Sequence, residues 1–143
     1  MIRTFVDAGV LIAAHRGVPS EREPALRLLR DPDRFFLASP FLYLETLPKA
    51  LYYRNEAEVQ FYRKYFERAI RYSFEDTAAI SQLAREEAER CGLGAIDALH
   101  IAAASLAKAQ EFITGEKPGK SIYRASLVRV VYLTPLAGPN GGR

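Results

Sequence analysis

Residues 92–107, GLGAIDALHIAAASLA, form an Ala-rich apolar run with a single acid, Asp97, near its start. A run of this length and composition is a helix meant for burial, and a carboxylate buried without a partner either costs several kcal/mol or takes up a proton. The run is followed by EFIT (111–114), short and β-type. Working outward, IRTFVD (2–7), RFFLAS (34–39) and LVRVVYL (127–133) read as further strands. Helices are predicted between them. AGVLIAA follows Asp7, VPSEREPALRLLRD (18–31) contains a helix with Ser20 as candidate cap, and Ser39-Pro40 starts another through FLYLETLPKALYYR, bent at Pro48. NEAEVQFYRKYFERAI reads as one continuous helix, and EDTAAISQLAREEAERCG (75–92) as an amphipathic one closed by Gly92. Strands separated by helices imply an α/β domain: three α/β/α layers around a mostly parallel sheet.

The chain has 143 residues, enough for one domain with a sizeable core and too few for two. Its 49% hydrophobic and 26% charged content is that of a globular, soluble protein. No apolar run reaches membrane-spanning length, and the N-terminus lacks a signal-peptide pattern. The one cysteine, Cys91, makes no internal disulfide, so a reducing, cytoplasmic setting is expected. A net charge of +3 permits an anionic partner without requiring one. The expected domain covers 1–134, and PLAGPNGGR (135–143) has the composition of a flexible tail.

Ligands of an open parallel sheet sit beyond the carboxyl ends of its strands. Asp7 ends the first strand, Glu116 follows EFIT by two residues, Glu45 lies on the helix after the second strand, and Asp97 lies in the first turn of the Ala-rich helix. Each acid also has a structural reading. Asp7 can cap the next helix, Glu45 can pair with Lys49 four residues on, Asp97 can complement a helix dipole, and Glu116 can be a turn residue. Their joint placement is what points to chemistry: converging carboxylates repel, and a hard divalent ion such as Mg²⁺ relieves them.

TFVDAGVLIAA, SPFLYLETLPKAL, GLGAIDALHIAAA and FITGEKP resemble, in order and spacing, the acidic motifs of PIN-domain nucleases, particularly the VapC-type toxin ribonucleases. The resemblance runs from about Thr4 to Leu133, and DALHIAAA is its most specific part. It implies a PIN-like fold and a Mg²⁺ or Mn²⁺ site for RNA hydrolysis built from Asp7, Glu45 and Asp97. The family's fourth acid is usually Asp, preceded two residues earlier by Ser or Thr; here Thr114 fits that pattern and Glu116 replaces the aspartate. The metal ligands and catalytic residues so implied are Asp7, Glu45, Asp97 and Glu116. Thr114, Lys117, Lys120 and Arg124 are the expected substrate contacts, with Lys49 and Arg16 as further candidates, since an acidic pocket alone repels nucleic acid. His100 is either a partner of Asp97, a substrate contact or a packing residue, and the resemblance favours packing. It also implies a homodimer and an antitoxin partner, with the aromatic-rich helices of 41–70 as the interface.

The competing reading is a PIN-fold binding or regulatory module that is inactive or weakly active. An aspartyl-phosphate mechanism would need an acid two residues after Asp7, where Gly9 stands, and no Gly-rich nucleotide fingerprint is present.

Overall fold

Apolar runs of four or five residues are too short for stable helices, and those apolar on both faces belong inside a parallel sheet. In the computed structural model, which describes residues 1–137, the four such runs expected as strands become β1 (Ile2–Val6), β2 (Arg34–Ala38), β4 (Glu111–Thr114) and β5 (Arg129–Tyr132), and a more polar segment forms β3 (Ile70–Ser73). All neighbours pair in parallel, in the order β3-β2-β1-β4-β5. Six helices flank the sheet: α1 (Ala8–Arg16), α2 (Pro19–Leu29), α3 (Pro40–Tyr52), α4 (Glu56–Lys64), α5 (Thr77–Cys91) and α6 (Ala95–Leu106). This is the expected three-layer α/β/α arrangement. Of the expected tail, 138–143 lies outside the described residues, while the Leu136 N–H donates to the Ser20 carbonyl at 2.9 Å.

The chain leaves β1 on one side, building β2 and β3, then returns to β1's other side for β4 and β5. The reversal opens a crevice at the carboxyl ends of β1 and β4. The Val6–Ile113 register sets the depth of that crevice. Phe5 and Phe112 are fully buried and stacked across the two strands, 5.7 Å between centroids, so register and core packing fix each other.

Helix ends follow local chemistry. Ser39 caps α3, accepting from Phe41 N–H at 3.2 Å and Leu42 N–H at 3.4 Å, with Pro40 at the first helical position. Gly92 closes α5 in the left-handed region, φ +69°, where a side chain would be strained. Two expectations change. Ser20 is not a cap: Pro19 starts α2 and Val18 precedes it without a side-chain cap bond. The run expected as one helix through Ile70 breaks after Lys64, passes through a π-helical turn (Tyr65–Ala69), and becomes the edge strand β3. Its aromatic periodicity reads as helical, but Tyr62 and Tyr65 are spent on the core.

Small side chains set the second layer. Ala98 and Ala102 to Ala104 on α6 are essentially inaccessible, letting that helix lie close to its neighbours. Glu87 of α5 is also fully buried. It accepts from Ser126 N–H at 2.6 Å, Ser126 Oγ at 2.7 Å, Leu127 N–H at 3.1 Å and Arg90 Nη2 at 2.9 Å. Burial pushes its carboxyl up, but the Ser126, Arg90 and Leu127 donors more than reverse this and hold it at about 2. The bonds pin the segment leading into β5 against α5.

Candidate active site

Asp7 leaves β1 at the crevice. Its Oδ1 accepts the Val10 N–H at 3.0 Å and so caps α1, and its Oδ2 accepts the Thr114 hydroxyl from the end of β4. A Cβ on Gly9 would sit 3.3 Å from Asp7 Oδ1, so the glycine leaves room beside the carboxylate. Burial raises the Asp7 carboxyl above its ordinary range, more than the Thr114 and Val10 bonds lower it. Asp7 thus caps α1 with one oxygen and also lines the cleft.

Glu45, on α3, bonds through Oε1 to His100 Nε2 of α6, and this contact holds its carboxyl below the usual value. The i,i+4 alternative with Lys49 is not made among the described residues. Asp97, in the first turn of α6, has no hydrogen-bond partner among the described residues. Its carboxyl is raised by burial first, then by the negative charges of Glu116 and Glu45. Glu116 is held by its backbone: its N–H donates to Thr114 Oγ1 at 3.0 Å and its carbonyl accepts the Tyr123 hydroxyl at 2.6 Å.

All four acids line one cleft of about 380 Å³. Glu21, in the first turn of α2, is a fifth carboxylate on its wall, and no lysine or arginine lines it among the described residues. Nothing in the sequence around Glu21 marks it as a site residue. Ordinary in a helix's first turn, it is brought to the cleft only by how α2 packs on α1.

The expected substrate contacts divide. Thr114 is fully buried and its hydroxyl is committed to Asp7 and Glu116, so it orients the acids and is out of reach of a substrate. Arg124 is exposed but partly engaged. Its Nε and Nη2 donate to the carbonyls of Cys91 and Gly92, both at 2.8 Å, satisfying the open end of α5. Arg16 pairs with the buried Glu58 at 3.1 Å. Lys117 and Lys120 are exposed on the loop after Glu116, beside the cleft.

The donor set suits a hard divalent cation in chemistry and charge: oxygen ligands only, two of them raised by burial and mutual repulsion. Among the described residues, no three His, Cys, Asp or Glu side chains converge closely enough to hold an ion by themselves. Mg²⁺ keeps several waters and takes only one or two carboxylates directly, which suits acids spread around a cleft of about 380 Å³.

A family model described as PIN domain matches residues 4–118. Three solved structures share the fold. VapBC2 from Rickettsia felis, bound to a promoter DNA fragment, has TM-score 0.67 and 16% identity, over 92% of this chain and 98% of that one. VapC20 from Mycobacterium tuberculosis, a sarcin-ricin loop cleaving toxin, has 0.65 and 19%, over 88% and 98%. FitAcB from Neisseria gonorrhoeae has 0.61 and 20%, over 91% and 97%. At these identities the likeness is one of fold. No curated protein matches the sequence.

Proposed function

The chain belongs to the PIN-domain family, and on that premise we propose that it is a Mg²⁺- or Mn²⁺-dependent endoribonuclease and the toxin member of a toxin–antitoxin pair. The observation that carries this reading is a cleft lined by five carboxylates, with no lysine or arginine among its described lining residues, at the carboxyl ends of β1 and β4. Asp7, Asp97, Glu45 and Glu116 would hold the ion. When bound, a divalent cation there polarises a phosphodiester and acidifies water.

The chain's own residues supply orientation. Thr114 and the Val10 N–H fix both oxygens of Asp7, and the Thr114 and Tyr123 hydroxyls grip the backbone of Glu116 from either side. Asp97 keeps its oxygens free for a ligand. Lys117 and Lys120 supply the positive charge that an acidic cleft needs to attract an RNA backbone. Neither Cys91 nor Ser105 lines the cleft, so no protein nucleophile competes for the role.

Exposed apolar side chains on and just after α3 support a protein partner: Tyr43, Leu44, Leu51, Tyr52 and Tyr53. The aromatics of α4 and its π-turn face inward instead, which removes them as base-stacking platforms. A second copy of the chain and an antitoxin both suit the α3 surface. No helix is long and apolar enough to cross a membrane among the described residues.

Cleavage of single-stranded and structured RNAs tests the reading, with Mg²⁺ or Mn²⁺, with EDTA, and with Asp7→Asn and Asp97→Asn. Activity that survives both EDTA and the substitutions refutes it. The non-catalytic alternative draws on the incomplete convergence of the acids, and gains if Mn²⁺ leaves the melting temperature unchanged.

A further inference from the structure

His100 is a buried polar residue that the proposed chemistry leaves unused. It is 2% exposed, tilted against Phe5 at 6.0 Å between centroids, and its Nδ1 is buried without a partner among the described residues. Its one side-chain hydrogen bond joins Nε2 to Glu45 Oε1. A carboxylate only accepts, so the contact puts a proton on Nε2. A leucine of similar bulk would pack here without the desolvation cost of two ring nitrogens. What the imidazole adds is this one bond.

Glu45 needs such a partner. Its side chain is 37% exposed, on a helix face that also presents Leu44 to solvent. With three rotatable bonds and no tether, the carboxylate would spread over rotamers pointing into water. His100 lies one helical turn beyond Asp97 on α6, so one helix face carries an acid of the cleft and the group that grips another. The geometry points to His100 as a positioning residue: from the buried side of α6, its Nε2–H holds the Glu45 carboxylate in the cleft, across the gap between α3 and α6. This rests on, and deepens, the metal-dependent reading of the same site.

The test measures Mn²⁺ affinity by calorimetry on the full chain. The variants are His100→Leu, His100→Gln, Glu45→Gln and the double His100→Leu/Glu45→Gln, with folding checked by circular dichroism. His100→Leu is expected to weaken Mn²⁺ binding about 10- to 100-fold. The double variant should be no weaker than Glu45→Gln alone, because both changes remove one interaction. His100→Gln, whose amide N–H reaches the same position, should recover most of the loss. A folded His100→Leu that binds Mn²⁺ within about twofold of wild type, or losses that add, overturns the inference.

Imidazole ¹⁵N shifts provide a metal-free readout should the His100 variants fail to fold. The wild type should show the proton on Nε2, and Glu45→Gln should move that signal; an unmoved signal overturns the contact. A wild type with the signature and no Mn²⁺ binding instead refutes the metal reading while supporting the contact.

Discussion

Glu87 gives the sharpest test of what holds this domain together. Its Oε2 faces two backbone N–H groups, of Ser126 and Leu127, which cannot turn away; its Oε1 faces the Ser126 hydroxyl and the half-exposed Arg90, which can. In Glu87→Gln the amide nitrogen therefore takes the Oε1 position, where Ser126 reverses its hydroxyl and Arg90 is released. The backbone bonds survive and the charge is lost. A carboxyl drawn from 4.5 to about 2 contributes at most about 3 kcal/mol at neutral pH. Screening of Arg90 by water reduces this to about 2 kcal/mol. Glu87→Ala leaves the same N–H groups buried without acceptors and should cost about 4 kcal/mol. Urea unfolding at pH 7 measures both. Because the folded value is depressed, wild type's advantage over Glu87→Gln is whole above about 4.5 and falls away as pH drops toward 2. Hydrogen exchange should show the loss first in β5, which the pinned segment leads into. A Glu87→Gln protein as stable as wild type at pH 7, or a difference that does not shrink between pH 6 and pH 3, refutes the argument.

Five other outcomes concern the cleft and its surroundings. Mn²⁺ at about 100 times its dissociation constant should stabilise wild type by about 2.7 kcal/mol and Asp7→Asn or Asp97→Asn negligibly, read as melting temperature. Without metal, Asp97→Asn should be no less stable than wild type, since it removes repulsion from Glu116 and Glu45. Thr114→Val, nearly isosteric, deprives Asp7 of a donor and the Glu116 N–H of an acceptor; we expect about 1–3 kcal/mol lost in urea unfolding and slower RNA cleavage. Arg124→Met keeps the aliphatic stem but frees the carbonyls of Cys91 and Gly92, costing about 1 kcal/mol with RNA affinity unchanged. Lys117→Ala and Lys120→Ala should each lower the salt dependence of RNA binding by about one counterion and leave stability alone.

β1, β2 and β4 are legible in the sequence because their buried apolar runs are too short to be helices, and β5, the other edge, is legible by its Val-rich run. β3 is not. Ile70–Ser73 is an edge strand with polar outward positions, and it continues an aromatic spacing that reads as helix until the π-turn intervenes. The four acids were legible by their positions after strands and in first turns, and they do line one cleft. What surrounds them was not. Arg124 and Glu87 act on partners more than thirty residues away. A basic residue beside a turn or an acid on an amphipathic helix looks like ordinary surface until those partners are in place. Glu21 reaches the cleft by helix packing alone, and the choice of Glu45 over Asp97 as the partner of His100 depends on how α3 meets α6.

Asp7 and the threonine that orients it lie 107 residues apart in sequence yet side by side in space. During synthesis, the first strand emerges early and waits for the fourth, with most of the chain still to be made. No shorter nascent fragment contains both walls of the cleft. The two walls of the cleft therefore come into being together and late, when β4 docks beside β1, and until then its carboxylates lie apart on an unfinished chain.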